Sequence, residues 1–345
     1  MVVNMLIAGD VGGTKTDLAV YSSPGGPHAP LAETEVKSAD YPSLQAMVKE
    51  FLAKVNLSVD AACFDVPGPV IDGHVKATNL PWLMDEASLA RDLNLKSVRL
   101  INDLEAVARS VPILRPEDLV TLNQGEAVRQ GTIAIIAPGT GLGESFLDWD
   151  GTEYVAHSSE GGHSDFAPTD ERQVRLLQYM WKRFDHVGFE RVCSGIGVPN
   201  VYDFLRDVEK IPESPAATRS IAAAKDRTRA ILDAALAPQD PSPLCRATVE
   251  TVVSILGSEA GNLALKVLAT GGVYMAGGVA VHLQGPLREP RFMEAFTRKG
   301  RFKDLVARIP IHVITTRAAL AGAAAYGLEL LRQHESGAPA ERRVS

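Results

Sequence analysis

With 345 residues, 46% of them hydrophobic and 22% charged, the chain has an ordinary globular composition and enough length for two domains, each with its own apolar interior. A formal net charge of -7 argues against a nucleic-acid-binding surface, which needs a basic excess, but not against a single nucleotide held locally. Cys63, Cys193 and Cys245 show no spacing for zinc or a disulfide framework, and no run approaches the roughly 18 apolar residues that cross a bilayer, so a reduced, cytoplasmic protein without a membrane partner is expected.

Strand-like and helical runs alternate. Met5 to Ala8 and Leu18 to Tyr21 read as strands, Ser43 to Lys54 as a helix, and Ala61 to Val66 and Ser97 to Ile101 as strands. A hairpin at the start and helical crossovers later predict a mixed α/β sheet. Leu104 to Val111 reads as a helix beginning directly after Asp103, and Pro112 and Pro116 then mark a domain boundary near residues 112 to 117. Beyond it Thr132 to Ile136 reads as a buried strand, Ala216 to Ala237 as a peripheral helix and Thr248 to Leu268 as a longer one. Val273 to Ala276 and Ile311 to Ile314 read as strands, and Ala318 to Leu331 as an Ala-rich helix able to pack closely on a sheet. The polar tail from Gln333 is expected to fray.

Three glycine loops follow strand-like runs: Gly9-Asp10-Val11-Gly12-Gly13-Thr14, Gly139-Thr140-Gly141-Leu142-Gly143, and Gly277-Gly278. In the first, Gly9, Lys15 and Thr16 fall at P-loop spacing, but Thr14 occupies the place of the second glycine and the chain turns into a hairpin rather than a helix. What remains is a backbone able to approach a phosphate, a Thr14 hydroxyl, and Asp10, which beside an anion makes sense only with a cation such as Mg²⁺. An ordinary glycine-rich turn is the plain alternative. The middle loop has the wrong spacing for a dinucleotide fingerprint and no evident helix behind it, so a nicotinamide enzyme is a poor reading. Three such loops spread over two α/β domains suit a nucleotide clamped between them.

Asn102-Asp103 ends one strand and starts a helix, where a carboxylate is either an N-cap or a general base facing the ligand. In Glu160-Gly161-Gly162-His163 the paired glycines disfavour a helix, and a loop offering Glu160 and His163 to a polyhydroxylated ligand fits better than a metal site. Glu190, taken alone, reads as a surface helix acid.

Together these pieces resemble the bacterial glucokinase family. The segments that carry the likeness are Gly9 to Thr14, Thr78-Asn79-Leu80-Pro81-Trp82, Ile101 to Ala106, Gly139 to Gly143, Glu160 to His163 with Asp165 to Pro168, Glu190-Arg191 with Ser194-Gly195, and Ala276-Gly277-Gly278. They extend in the family's order from residue 6 to about residue 327. The resemblance implies a two-domain actin-like (ribonuclease-H-like) ATPase fold, α/β with mixed sheets and an interdomain cleft. It implies a small domain of residues 1–113 plus 316–345 and a large one of 114–315. It also implies ATP-dependent phosphorylation of glucose at the 6-hydroxyl, with Asp103 as general base. Asn79, Asn102, Asp103, Glu160, His163 and Glu190 would bind the sugar. Gly9, Asp10, Val11, Gly12, Gly13 and Thr14 would form one phosphate loop and Gly139, Thr140 and Gly141 a second, with Gly277 and Gly278 near the adenosine. Asp10 would act on Mg²⁺ through water, and the partners would be sugar, nucleotide and a second copy in a homodimer.

Asp65 and Glu144 stand where such relatives are expected to differ, which puts affinity or specificity in doubt more than activity. The runner-up is a kinase for mannose, fructose or an amino sugar, but the related repressor and kinase family usually carries a Cys-x-Cys-Gly zinc motif that this chain lacks. Only nine residues precede Asp10, too few for the helix-turn-helix of a repressor. A chaperone-like ATPase would have no reason to assemble these polar residues.

Overall fold

The computed structural model describes residues 3–76, 80–239 and 241–336. Its contacts divide the chain into two units, Met1–Leu114 with Thr316–Ser345, and Arg115–Thr315.

The first unit carries strands β1 (Met5–Val11), β2 (Lys15–Ser22), β3 (Ala32–Lys37), β4 (Ala61–Val66), β5 (His74–Lys76), β6 (Leu83–Asp85) and β7 (Ser97–Asn102). Five of them form one sheet in the order β3-β2-β1-β4-β7, antiparallel from β3 to β1 and parallel from β1 to β7. β4 is buried along its whole length and β1 nearly so, because helices cover both faces and the strands must be apolar on both. On one face Ile7, Leu18, Phe64 and Leu100 pack with the helices Leu44–Val55 and Glu86–Leu93. On the other, Leu6, Ala8, Cys63 and Ile101 meet the helices Asp103–Ser110 and Ala318–Ser336. Small residues permit that second contact: a Cβ on Gly322 would lie 1.8 Å from the Ala106 carbonyl oxygen. Ser43 and Asp85 cap their helices by accepting from Ala46 N–H and Ser88 N–H, and Asn56 and Asn94 end them in the left-handed conformation.

The second unit carries β8 (Leu119–Asn123), β9 (Ile133–Pro138), β10 (Leu142–Trp149), β11 (Tyr154–Ser159), β12 (Gly272–Met275) and β13 (Ile311–Ile314). Its sheet runs β11-β10-β9-β12-β13-β8, antiparallel from β11 to β9, parallel from β9 to β13, and antiparallel again at β8. Apart from β8, the order and sense repeat those of the first unit. The helix Pro243–Lys266 runs through the core, where Gly257 and Gly261 let it touch the backbone at Phe292 and Phe296.

Three boundaries differ from expectation for identifiable reasons. The helix predicted over residues 216–237 is two helices, Pro215–Ala223 and Arg227–Ala235, because the Asp226 side chain accepts from Arg229 N–H and starts a new helix. The helix predicted from Thr248 begins at Pro243, with Ser242 as cap and proline in its first turn, and stops before Leu268. The helix predicted to begin after Asp103 includes it, and the cap is Asn102. The final helix continues past Gln333 to Ser336, and the rest of the tail lies outside the described residues.

Candidate functional site

In the first unit three acids stand at neighbouring strand ends. Register pairs Asp10 on β1 with Asp65 on β4, and the next step along β4 pairs Val66 with Asn102 on β7. Asn102 accepts from Leu104 N–H at 3.0 Å and from Glu105 N–H at 3.3 Å, and donates through Nδ2 to the Gly68 carbonyl at 3.1 Å. Asp103 is therefore held as the first helical residue, exposed, with Oδ1 accepting from Leu104 N–H at 2.8 Å. Burial raises the Asp10 carboxyl, which the Asp65 interaction lowers and the charges on Asp17 and Asp103 raise again. Asp65 is completely buried, and burial followed by the Asp10 and Asp103 charges drives it well above the usual carboxylate range. Among the described residues neither Asp65 oxygen meets a donor.

The glycine loop before β2 divides its labour. Gly9 lies inside β1, where a Cβ would collide with Leu18 and Phe64 at 2.7 and 2.8 Å, so its small size serves packing. Gly12 N–H closes the hairpin on the Lys15 carbonyl at 2.9 Å. Ser38, not anticipated from sequence, braces the loop: its hydroxyl donates to the Gly12 carbonyl at 2.6 Å and meets Thr16 Oγ1 at 2.9 Å. Gly13 is left half-buried and Thr14 exposed at the tip. Lys15 pairs with Glu35 on the next strand, an exposed contact of little energetic weight.

The second unit gathers the remaining candidates. A Cβ on Gly277, whose φ is +86°, would stand 2.7 Å from the Pro138 carbonyl and 3.0 Å from Gly139 N, so the second and third glycine loops touch. Gly195 N–H and Ile196 N–H donate to the carbonyls of Gly139 and Thr140 at 2.8 and 3.0 Å, fixing the Gly139–Gly141 loop from behind. Glu190 is not a plain surface acid: it is half-buried, accepts from Leu142 N–H at 3.1 Å, and lies where a Cβ on Gly141 would be. The residues Gly161–His163 form a single 3-10 turn rather than an open loop, and a Cβ on Gly162 would strike the Leu142 carbonyl at 1.9 Å. That close approach ties the turn to the glycine loop. Glu160 and His163 are both exposed, with 3.8 Å between Oε2 and Nε2. Asn79 and Thr78 lie outside the described residues.

Among the described residues no three His, Cys, Asp or Glu side chains converge to cage a metal. Mg²⁺ needs no such cage, since one or two carboxylates with waters and phosphates suffice. Hard oxygen donors at Asp10, with the donor-less oxygens of Asp65 beside it, fit that ion.

A family model described as Glucokinase matches residues 7–330. A glucokinase of a Nostoc species is 39% identical over 327 residues, covering 90% of this chain and 95% of the relative. The crystal structure of a glucokinase from an Antarctic psychrotroph is 29% identical, with a TM-score of 0.81 over 94% of this chain and 99% of that one. The glucokinase of Streptomyces griseus, solved with glucose and AMPPNP, shares the fold at a TM-score of 0.65 and 17% identity, covering 95% and 100%.

Proposed function

The chain belongs to the glucokinase family, and from that premise we propose how its residues phosphorylate glucose with ATP. The observation that carries the reading is the ordered placement of Asp103 on the Asn102 cap, in the same strand-end cluster as Asp10. Asp103 takes the proton of the 6-hydroxyl as that oxygen bonds to the γ-phosphorus; the bond from phosphorus to the β,γ-bridging oxygen breaks, and ADP leaves. Asn102 has a second Nδ2 hydrogen for a sugar oxygen, and Glu160, His163 and Glu190 supply further acceptors and donors. Asn79 joins them on family resemblance alone.

Thr14 and Gly13, at the tip left open by Ser38, meet the phosphates from the first unit. Family resemblance assigns Gly139 to Gly141 to phosphate as well, and Gly277 and Gly278 to the adenosine. Mg²⁺ held by Asp10 through water would neutralise charge on the transferring phosphate. A homodimer working in the cytoplasm at the entry to glycolysis completes the proposal, and family resemblance supports it. Among the described residues no helix is long and apolar enough to cross a membrane.

A coupled assay of ADP release with ATP and glucose, mannose, fructose, glucosamine or N-acetylglucosamine tests the reading. Release should depend on sugar, with kcat/KM for glucose at least about tenfold above the other hexoses. Release without any sugar would refute a sugar kinase, and preference for another hexose would favour the runner-up.

A further inference from the structure

Behind the turn Gly161–His163 lies a buried acid with no part in the chemistry just described. Glu144, on β10, is 1% exposed, and its Oε1 meets no hydrogen-bond partner among the described residues. Its other oxygen presses on the turn: a Cβ on Gly161 would stand 2.0 Å from Glu144 Oε2, so the missing side chain is what admits the carboxyl. Along the sheet Glu144 faces Ile136 on β9 and Ser159 on β11, neither of which titrates.

The titratable groups around it come from elsewhere. The helix Pro243–Lys266 brings Glu259, completely buried, and Lys266; the short helix Glu190–Cys193 brings its two end residues; the turn itself carries His163 next to Glu160. Glu259 is the better supplied of the two buried acids. Its Oε2 accepts from Asn262 Nδ2 at 2.8 Å and its Oε1 from Lys266 Nζ at 3.3 Å. Lys299, which donates to Asn262 Oδ1 at 2.6 Å and to the Ser258 carbonyl at 2.8 Å, adds positive charge on that side. Two neighbouring buried carboxylates do not both ionise readily, so the charge stays with Glu259 and the proton with Glu144.

We propose that Glu144 is a positioning residue for the sugar-binding turn: as a neutral acid it fills the space behind Gly161 and holds Glu160 and His163 in their sugar-facing arrangement, and its ionisation dislodges them. The inference rests on the assignment of Glu160 and His163 to glucose. Burial first, then the Glu259 charge, partly offset by Lys266, push the Glu144 carboxyl up to about 7, so the change falls within the working range. The folded protein holds a proton there that the unfolded chain has released. The associated stability is therefore complete below the ordinary glutamate range and is lost as pH rises through about 7.

The test compares the full-length protein with Glu144→Gln, which keeps the shape and cannot ionise. In the wild type, glucose KM should rise about fivefold between pH 7 and 8, the limit for one proton leaving the competent state, while kcat stays flat. In Glu144→Gln, glucose KM should stay flat over the same range. A variant that keeps the alkaline rise, or a rise carried by kcat, overturns the proposal. A protein that phosphorylates no glucose at any pH refutes the functional reading instead, and a ¹³C carboxyl titration then decides this one. A signal absent from Glu144→Gln should titrate near pH 7 together with the Gly161 amide. A Glu144 carboxyl titrating in the ordinary glutamate range, or a Gly161 amide that ignores it, overturns the proposal; the same titration decides the matter if Glu144→Gln is poorly folded, by assigning Glu144 from its neighbours.

Discussion

The two sheets share one plan, an antiparallel meander of three strands followed by two parallel strands, with a glycine loop in the first hairpin of each. They treat charge in opposite ways. The first unit masses Asp10, Asp65 and Asp103 at adjacent strand ends with Arg317 as the one cation among the leading influences on Asp10, and braces its loop with a serine hydroxyl. The second unit braces its loop with backbone donors and Glu190, and matches its buried acids with Lys266 and Lys299. A scaffold used twice thus carries an acidic cluster with little positive charge in one half and buried acids matched by lysines in the other.

The sharpest way to break this contrast is Asp103→Asn, which should lower kcat by about 10²–10⁴ in steady-state assays; near-normal turnover would remove the first unit's chemical role. The next effect is structural and belongs to the second unit. Gly277→Ala forces a side chain into a positive-φ position against the Pro138 carbonyl and should cost about 2 kcal/mol in denaturant unfolding, together with weaker nucleotide binding. Gly278→Ala, where a Cβ meets nothing within 4 Å, is its control for stability and should be near neutral in denaturant unfolding.

The smallest effect returns to the acidic cluster. Because the folded Asp65 carboxyl is raised, its stability contribution is present below the ordinary aspartate range and is lost as pH rises through the folded value. Asp65→Asn should remove that loss, gaining about 1 kcal/mol over the wild type at pH 8 and less at pH 5 by thermal unfolding. An unchanged difference between the two pH values would mean that Asp65 is not the proton-holding member of the cluster.

Much of this architecture is legible in the chain. β1, β4, β9 and β13 announce themselves as apolar runs because both faces are covered, and the Gly12-Gly13 pair marks the hairpin. β3 escapes notice because an edge strand reading Ala-Glu-Thr-Glu-Val-Lys has one solvated face and no apolar run. β10 escapes for a different reason: it starts inside the glycine loop and carries Glu144 and Ser145 where an apolar pattern would show, and those polar residues are buried. Asn102 and Asp103 stand out as a pair, but which of them caps the helix depends on one residue of helix boundary. Ser38 lies 26 residues from Gly12 and gives no local signal, since only the pairing of β2 with β3 brings it to the loop. Asp65 and Glu144 are visible as misplaced acids; their surroundings become apparent only from packing.

The division of labour is tested most directly by calorimetric titration of glucose into Asp103→Asn. The variant should bind glucose with Kd within about threefold of the wild type while turnover is lost, because the role proposed for Asp103 is to take the transferring proton and the other proposed sugar contacts are untouched. A variant that loses glucose binding along with turnover would contradict that division.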